Sequence, residues 1–152
     1  MALGTVRSRR RTENGAAALE FALVMPVLLL LIFGLIQWGL YFWAYQGGAD
    51  AARQAARSSA TGQWATCSTF RTNTRNAIGT LATNTPTITR SYAYAPTNTS
   101  GSVQAGDYVT VSVTFQTTNL HFPFVPFVHD GVVTQTAKAR VEYAQTQPET
   151  CS

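Results

Sequence analysis

Charge is scarce in this chain. Asp, Glu, Lys and Arg make up 12% of its 152 residues, and between Phe21 and Ala49 there are none. Histidine and cysteine are rarer still, with two of each. His121 and His129 flank a Pro-rich segment rather than sharing a helical turn, so they do not read as a metal pair. No phosphate-cradling Gly-rich loop, nucleophile elbow or His-Glu-x-x-His is present. The sequence therefore points away from an enzyme, and it implies no cofactor, no metal and no small-molecule substrate. Two cysteines also exclude a scaffold held together mainly by disulfides.

What the chain has instead is one long apolar run. Phe21-Ala22-Leu23-Val24-Met25-Pro26-Val27-Leu28-Leu29-Leu30-Leu31-Ile32-Phe33 is almost wholly aliphatic or aromatic, and the uncharged stretch continues to Ala49. It exceeds the roughly 20 residues needed to cross a bilayer core about 30 Å thick. A soluble core helix would show a polar face, and none appears before Gln37. Arg7, Arg9, Arg10 and Arg11 precede the span, which predicts a cytoplasmic N-terminus and an extracytoplasmic remainder. Trp38, Tyr41, Trp43 and Tyr45 read as an interfacial belt. The formal net charge of +4 raises nucleic acid as a partner, but the arginine run sits where membrane topology demands it. Removal of residues 1–15 would take four Arg and Glu13 away and leave a nearly neutral chain with no basic cluster. Nucleic acid is therefore not an expected partner; membrane lipid is.

Beyond the span the helix is expected to continue through Ala51-Ala52-Arg53-Gln54-Ala55-Ala56-Arg57, where Ala favours helix and Asp50 can pair with Arg53. Ala44 with Gly48, Ala51 with Ala55 and Ala52 with Ala56 form a small-residue surface suited to close helix packing. Gly62 should interrupt the helix. Trp64, Cys67, Phe70, Thr74, Ala77, Ile78 and Leu81 then recur at helical spacing and predict a second, shorter helix, stopped by Asn84-Thr85-Pro86. The period next changes to two. Val109, Val111, Val113 and Phe115 predict a strand with one buried face; Val133, Ala137, Ala139, Val141 and Tyr143 predict another, and Ile88, Tyr92 and Tyr94 a weaker first one. The apolar loop from His121 to His129 is expected to lid the sheet's core, with a partner-docking knob as the alternative. Cys67 and Cys151 both fall on the predicted outer side, where a disulfide is plausible. The predicted fold class is α+β: a long N-terminal transmembrane helix, a short second helix and an antiparallel sheet of about three strands. The expected division is a polar, disordered or processed basic leader at 1–15, a transmembrane and extended helix starting near Ala16 over 16–62, and an extracytoplasmic α+β domain over 63–152.

Asn14-Gly15-Ala16-Ala17-Ala18-Leu19-Glu20-Phe21 places a carboxylate at the mouth of the span. A carboxylate at the centre of a span costs about 2.5–3.5 kcal/mol on insertion scales, which favours a paired role. At headgroup level it would be tolerated, favoured by the helix dipole. The glycine, four intervening residues, Glu-Phe and a hydrophobic run resemble the cleavage site of prepilins, specifically the TadE-like minor pilins of tight-adherence (Flp) pilus systems. The resemblance extends through Pro26 and Phe33-Gly34 to the Ala-Ala-Arg repeat at 51–57. It implies a pilin-like fold and cleavage between Gly15 and Ala16 by a membrane prepilin peptidase. It also implies roles for Glu20 and Phe21 in peptidase recognition and subunit pairing, and partnership with other pilins and the assembly platform. Pro26 is then a candidate transmembrane kink. An Ala at the first mature position, where ordinary type IV pilins usually have Phe, aligns the chain with the Flp branch. Two other readings stand beside it: an unprocessed signal-anchored binding protein or adhesin, and a secreted protein cut near Ala49-Asp50-Ala51.

Overall fold

In a computed structural model the chain is described over residues 9–122, 128–143 and 150–152. It contains a long helix α1 (Arg9–Ala60), a short helix α2 (Cys67–Ile78) and strands β1 (Thr87–Ala93), β2 (Tyr108–Gln116) and β3 (Val132–Arg140). The strands form one antiparallel sheet in the order β1-β2-β3, so the α+β class and the three strands are as the sequence predicts. Two compact units are distinguished: residues 1–36 with 121–126, and residues 37–120 with 127–152.

α1 begins at Arg9, not near Ala16, and runs through the expected leader boundary. Arg and Glu are good helix formers, so nothing between Arg9 and the Ala-rich segment stops the helix. Residues 1–8 lie outside the described part. Within the second unit α1 acquires a buried stripe of Gln37, Tyr41, Ala44, Gly48, Ala51, Ala52, Ala55, Ala56, Ser59 and Ala60. This spacing is that of one helical face. The small residues expected to meet another helix are thus used by the chain's own core, which they share with Phe70, Ile78 and the inward residues of the sheet. Gly48 shows why smallness matters: a Cβ there would stand 2.9 Å from the ring of Phe115. α1 ends in a Schellman motif. Gly62 takes a left-handed φ of 73°, Gln63 N donates to Ser58 O and Gly62 N to Ser59 O, capping two carbonyls that the helix leaves open.

α2 starts where the Thr66 hydroxyl accepts from Thr69 N. It buries Phe70, Thr74 and Ile78, one residue per turn. Ala77, assigned to the same face by periodicity, is exposed, because the buried stripe of so short a helix is one residue wide. In the sheet, Val109, Val111, Val113 and Phe115 of β2 are all buried. They pair with Tyr92, Arg90 and Ile88 on one side and with Ala139, Ala137, Gln135 and Val133 on the other. The opposite face is polar, with hydroxyl contacts Thr114–Thr134 and Ser112–Thr136 across β2 and β3. Tyr94 and Tyr143 are exposed and lie outside the strands. β2 begins at Tyr108, opposite Ala93 and Arg140; on the β3 side pairing carries on to Val141, whose N donates to Asp107 O and whose O accepts from Gly106 N, and the alternation in the sequence outlasts it.

The inward side chain between Ile88 and Tyr92 is a cation. Arg90 is 1% exposed. Its guanidinium donates to Ser59 Oγ at 3.3 Å, to Trp64 O, and to Ala65 O at 2.8 Å, and lies 4.5 Å over the Phe70 ring. Burying a charge is tolerable when it is hydrogen-bonded in this way. Burial raises the pKa of the neighbouring Tyr92 phenol, which the Arg90 charge opposes. The backbone of Arg90 exchanges two hydrogen bonds with Cys151, and Cys151 is disulfide-bonded to Cys67 at the start of α2.

A second buried ionisable group organises the loop before β2. The carboxylate of Asp107 accepts from Ala95 N at 2.7 Å, Gln104 N at 2.8 Å and Asn98 Nδ2 at 2.5 Å. Burial pushes its pKa up, but these donors together outweigh that and hold it below the ordinary value.

Arg90→Met should destabilise the folded domain by about 1–3 kcal/mol, because the Trp64 and Ala65 carbonyls lose their donor. Urea unfolding of the full chain in detergent checks this, and an unchanged midpoint would refute it. For Asp107, a folded pKa below the unfolded value of about 3.9 means that its contribution is complete above that value and is lost as pH falls through the folded one. Asp107→Asn should therefore be less stable at neutral pH, and the gap to the native chain should narrow below about pH 4. A gap that stays constant from neutral to acid pH would exclude this role.

Candidate functional site

In the first unit every side chain from Gly15 to Leu28 is exposed. Leu19, Phe21, Leu23 and Val24 each keep 63–70% of their surface. Leaving one such side chain in water rather than burying it forfeits about 1.5–3 kcal/mol, and apolar side chains point out all round the helix. A helix apolar on every face is built for lipid or for the middle of a helical assembly. α1 is the one helix among the described residues long and apolar enough to cross a membrane; it is a candidate membrane anchor.

The residues singled out in the sequence all lie on this helix. Gly15 is helical, and nothing stands within 4 Å of where its Cβ would be. Ala16 follows, also exposed, and Glu20 lies four residues on, one turn up the same face. Glu20 and Phe21 are exposed. Pro26 is accommodated inside the continuous helix. Helical backbone at Gly15 differs from the extended form expected of a protease substrate. Glycine is also where the helix opens most readily, since it costs about 1 kcal/mol relative to Ala in a helix.

Phe122, from the apolar loop expected to lid the sheet, stacks on Phe33 of α1 with ring centroids 4.5 Å apart. α1 and α2 supply the helical side of the sheet's core. Residues 123–127, the centre of that loop, lie outside the described residues.

Gln37 is the first polar residue after the apolar run, and in the second unit it is 1% exposed. Its Nε2 donates to Thr118 O at 3.3 Å and its Oε1 accepts from Leu120 N at 3.0 Å. The side-chain amide thus acts as a peptide group would in a strand pair. Trp38, Phe42, Trp43 and Tyr45 remain exposed around it, whereas Tyr41, counted in the aromatic belt, is 8% exposed and belongs to the core. Farther along α1, Asp50 and Arg53 pair at 2.5 Å on the surface, a contact worth at most about 1 kcal/mol.

Cys67 and Cys151 are joined by a disulfide that spans 84 residues, with Cα atoms 5.7 Å apart. It ties the C-terminal segment to α2 beside the outer edge of β1. Arg90, Asp107 and the acceptor role of Gln37 were not legible in periodicity. Each is a polar residue at an apolar or turn position, which flags it, but the partners come from distant segments. Among the described residues no three His, Cys, Asp or Glu side chains converge on a point where a metal ion could bind.

Residues 15–57 match the family model described as TadE-like protein. The match starts at Gly15 and covers the apolar span and the Ala-Ala-Arg repeat, leaving α2 and the sheet outside it. No curated protein and no solved structure matches the chain.

Gln37→Leu should keep the helix apolar but leave the Leu120 amide and the Thr118 carbonyl unpaired, at a cost of about 1–3 kcal/mol. Hydrogen exchange in the full chain should speed up at Leu120 while β2 stays protected. Unchanged exchange at Leu120 would rule out the clamp.

Proposed function

We propose, from the TadE-like match over residues 15–57, that the protein is a minor pilin or pseudopilin that serves assembly of a tight-adherence pilus in surface adhesion. The observation that carries the reading is the position of Gly15, Ala16 and Glu20 immediately before the stretch of α1, Phe21 to Leu28, that is apolar and exposed on every side. In this reading residues 1–15 remain cytoplasmic, α1 crosses the membrane, and the sheet domain lies outside. A prepilin peptidase cuts between Gly15 and Ala16 after local opening of the helix at the glycine. The new α-amine at Ala16 and the Glu20 carboxylate, one turn apart, neutralise each other or their copies in adjacent subunits. A subunit can then leave lipid for a bundle of helices without an unpaired buried charge. Its partners are the peptidase, other pilins and the assembly platform, and its role is structural rather than enzymatic.

The intact mass and N-terminal sequence of the membrane-extracted protein, from cells with and without their prepilin peptidase, test this. A start at Ala16 that depends on the enzyme supports it; an uncut chain, or a start at Ala52, argues for an anchored or a secreted binding protein respectively. Glu20→Ala should insert normally yet abolish piliation, and normal piliation in that variant would refute the pairing role.

A further inference from the structure

We infer that the cleft between α1 and the outer edge of β3 is a docking site for an acidic, extended segment of a partner protein, which joins the sheet as a fourth strand. The inference stands on the second unit alone and not on the pilus reading.

β3 is the last strand of the sheet, and among the described residues no strand lies beyond it. Its cover is also incomplete. The inward residues of β2 are 0–1% exposed, whereas Gln135, Ala137 and Ala139 of β3 are only half-buried. The gap is an open cleft of about 1080 Å³ between α1 and the second half of β3. Small side chains such as Ala56 and Ala137 line it, leaving room for backbone to approach. A second opening, bordered by Tyr41 and Thr134, lies along the first half of the same strand. Together they follow a nine-residue edge, about 30 Å of extended chain.

Charge selects the occupant. Arg57, Lys138 and Arg140 border the cleft, Lys138 with its ammonium 4.1 Å over the Tyr108 ring, and Glu142 is the one carboxylate in its lining; Arg53 also borders it and is paired with Asp50, and Asp130 borders the second opening. A second copy pairing antiparallel on this edge about Ala139 would set Lys138 of each copy opposite Arg140 of the other. Like charges in register are destabilising, and edge lysines are a known device against self-pairing. An acidic strand meets no such repulsion and gains main-chain hydrogen bonds as well. Midway along the edge, Gln135 Nε2 is buried without an acceptor, a donor that a carboxylate or carbonyl on an incoming segment would satisfy after a modest side-chain rotation.

The test uses the full chain in nanodiscs of zwitterionic lipid. The probes are a peptide of about nine residues alternating Glu with Val or Thr, and its counterpart with Lys in place of Glu. Fluorescence anisotropy reads binding, and hydrogen exchange reads the backbone over residues 132–140. The acidic peptide is expected to bind, to weaken as salt rises, and to slow exchange in β3, while the basic one does not bind. Lys138→Glu with Arg140→Glu, both exposed on the sheet's outer face, should weaken the acidic peptide at least about tenfold and admit the basic one. Failure of the acidic peptide to bind, or binding that leaves exchange over 132–140 unchanged, overturns the inference. Protection of β3 that grows with protein concentration in the absence of peptide also overturns it, because it assigns the edge to a second copy.

Discussion

The sheet domain closes around one buried guanidinium. Arg90 sits on the inward face of the edge strand β1, where periodicity calls for an aliphatic residue, and its donors reach the end of α1, the turn that follows it and the ring at the heart of α2. Its own backbone pairs with Cys151, which the disulfide carries to the start of α2. A buried charge left without such partners would cost several kcal/mol, so the arrangement is close to all-or-none. If the turn at Trp64-Ala65 moves, Arg90 loses its acceptors, and the edge to which the C-terminal segment is tied loses its support. Local order in four segments thereby becomes a single requirement.

α1 meets two demands along one length. From Gly15 to Leu28 it presents apolar side chains in every direction, as lipid or a helical bundle requires. From Gln37 onward it turns a stripe of small residues to the domain core, and Gly48 brings α1 against the Phe115 ring. The changeover is marked by a residue compatible with both. Gln37 has an apolar stem and an amide, and the amide gives Thr118 and Leu120 the partners that a strand would have supplied. The TadE-like match ends at residue 57, close to the end of α1 at Ala60. The portion that matches is thus most of the helix with its two environments, and α2 and the sheet lie outside it.

The N-terminal part of α1 and the sheet differ in the surfaces they present. From Phe21 to Leu28 the exposed surface is apolar and uncharged, so a low-dielectric medium or like helices suit it. Along β3 the exposed edge is backbone polar and its borders are cationic, so an extended chain of opposite charge completes it.

Much of this was legible in the residues alone. The uncharged run that begins at Phe21 predicts a long helix and makes it a candidate membrane anchor, because a helix satisfies its own backbone in lipid. The alternation at 109–115 dictates a strand with one buried face, and Gly62 marks the helix end, since a left-handed residue there lets Gln63 and Gly62 cap the last carbonyls. The Gly15 to Phe21 element is likewise a local pattern. Tertiary structure alone decided the rest. The Ala pairs of α1 suit a neighbouring helix as well as a sheet, and only the fold brings Phe115 to Gly48. Tyr94 and Tyr143 continue an alternation beyond the point where β2 begins, a limit set by a different segment. Arg90, Gln37 and Asp107 are costly residues in isolation. Their acceptors and donors lie up to 83 residues away, and a hydrogen bond between distant segments leaves no period in a sequence.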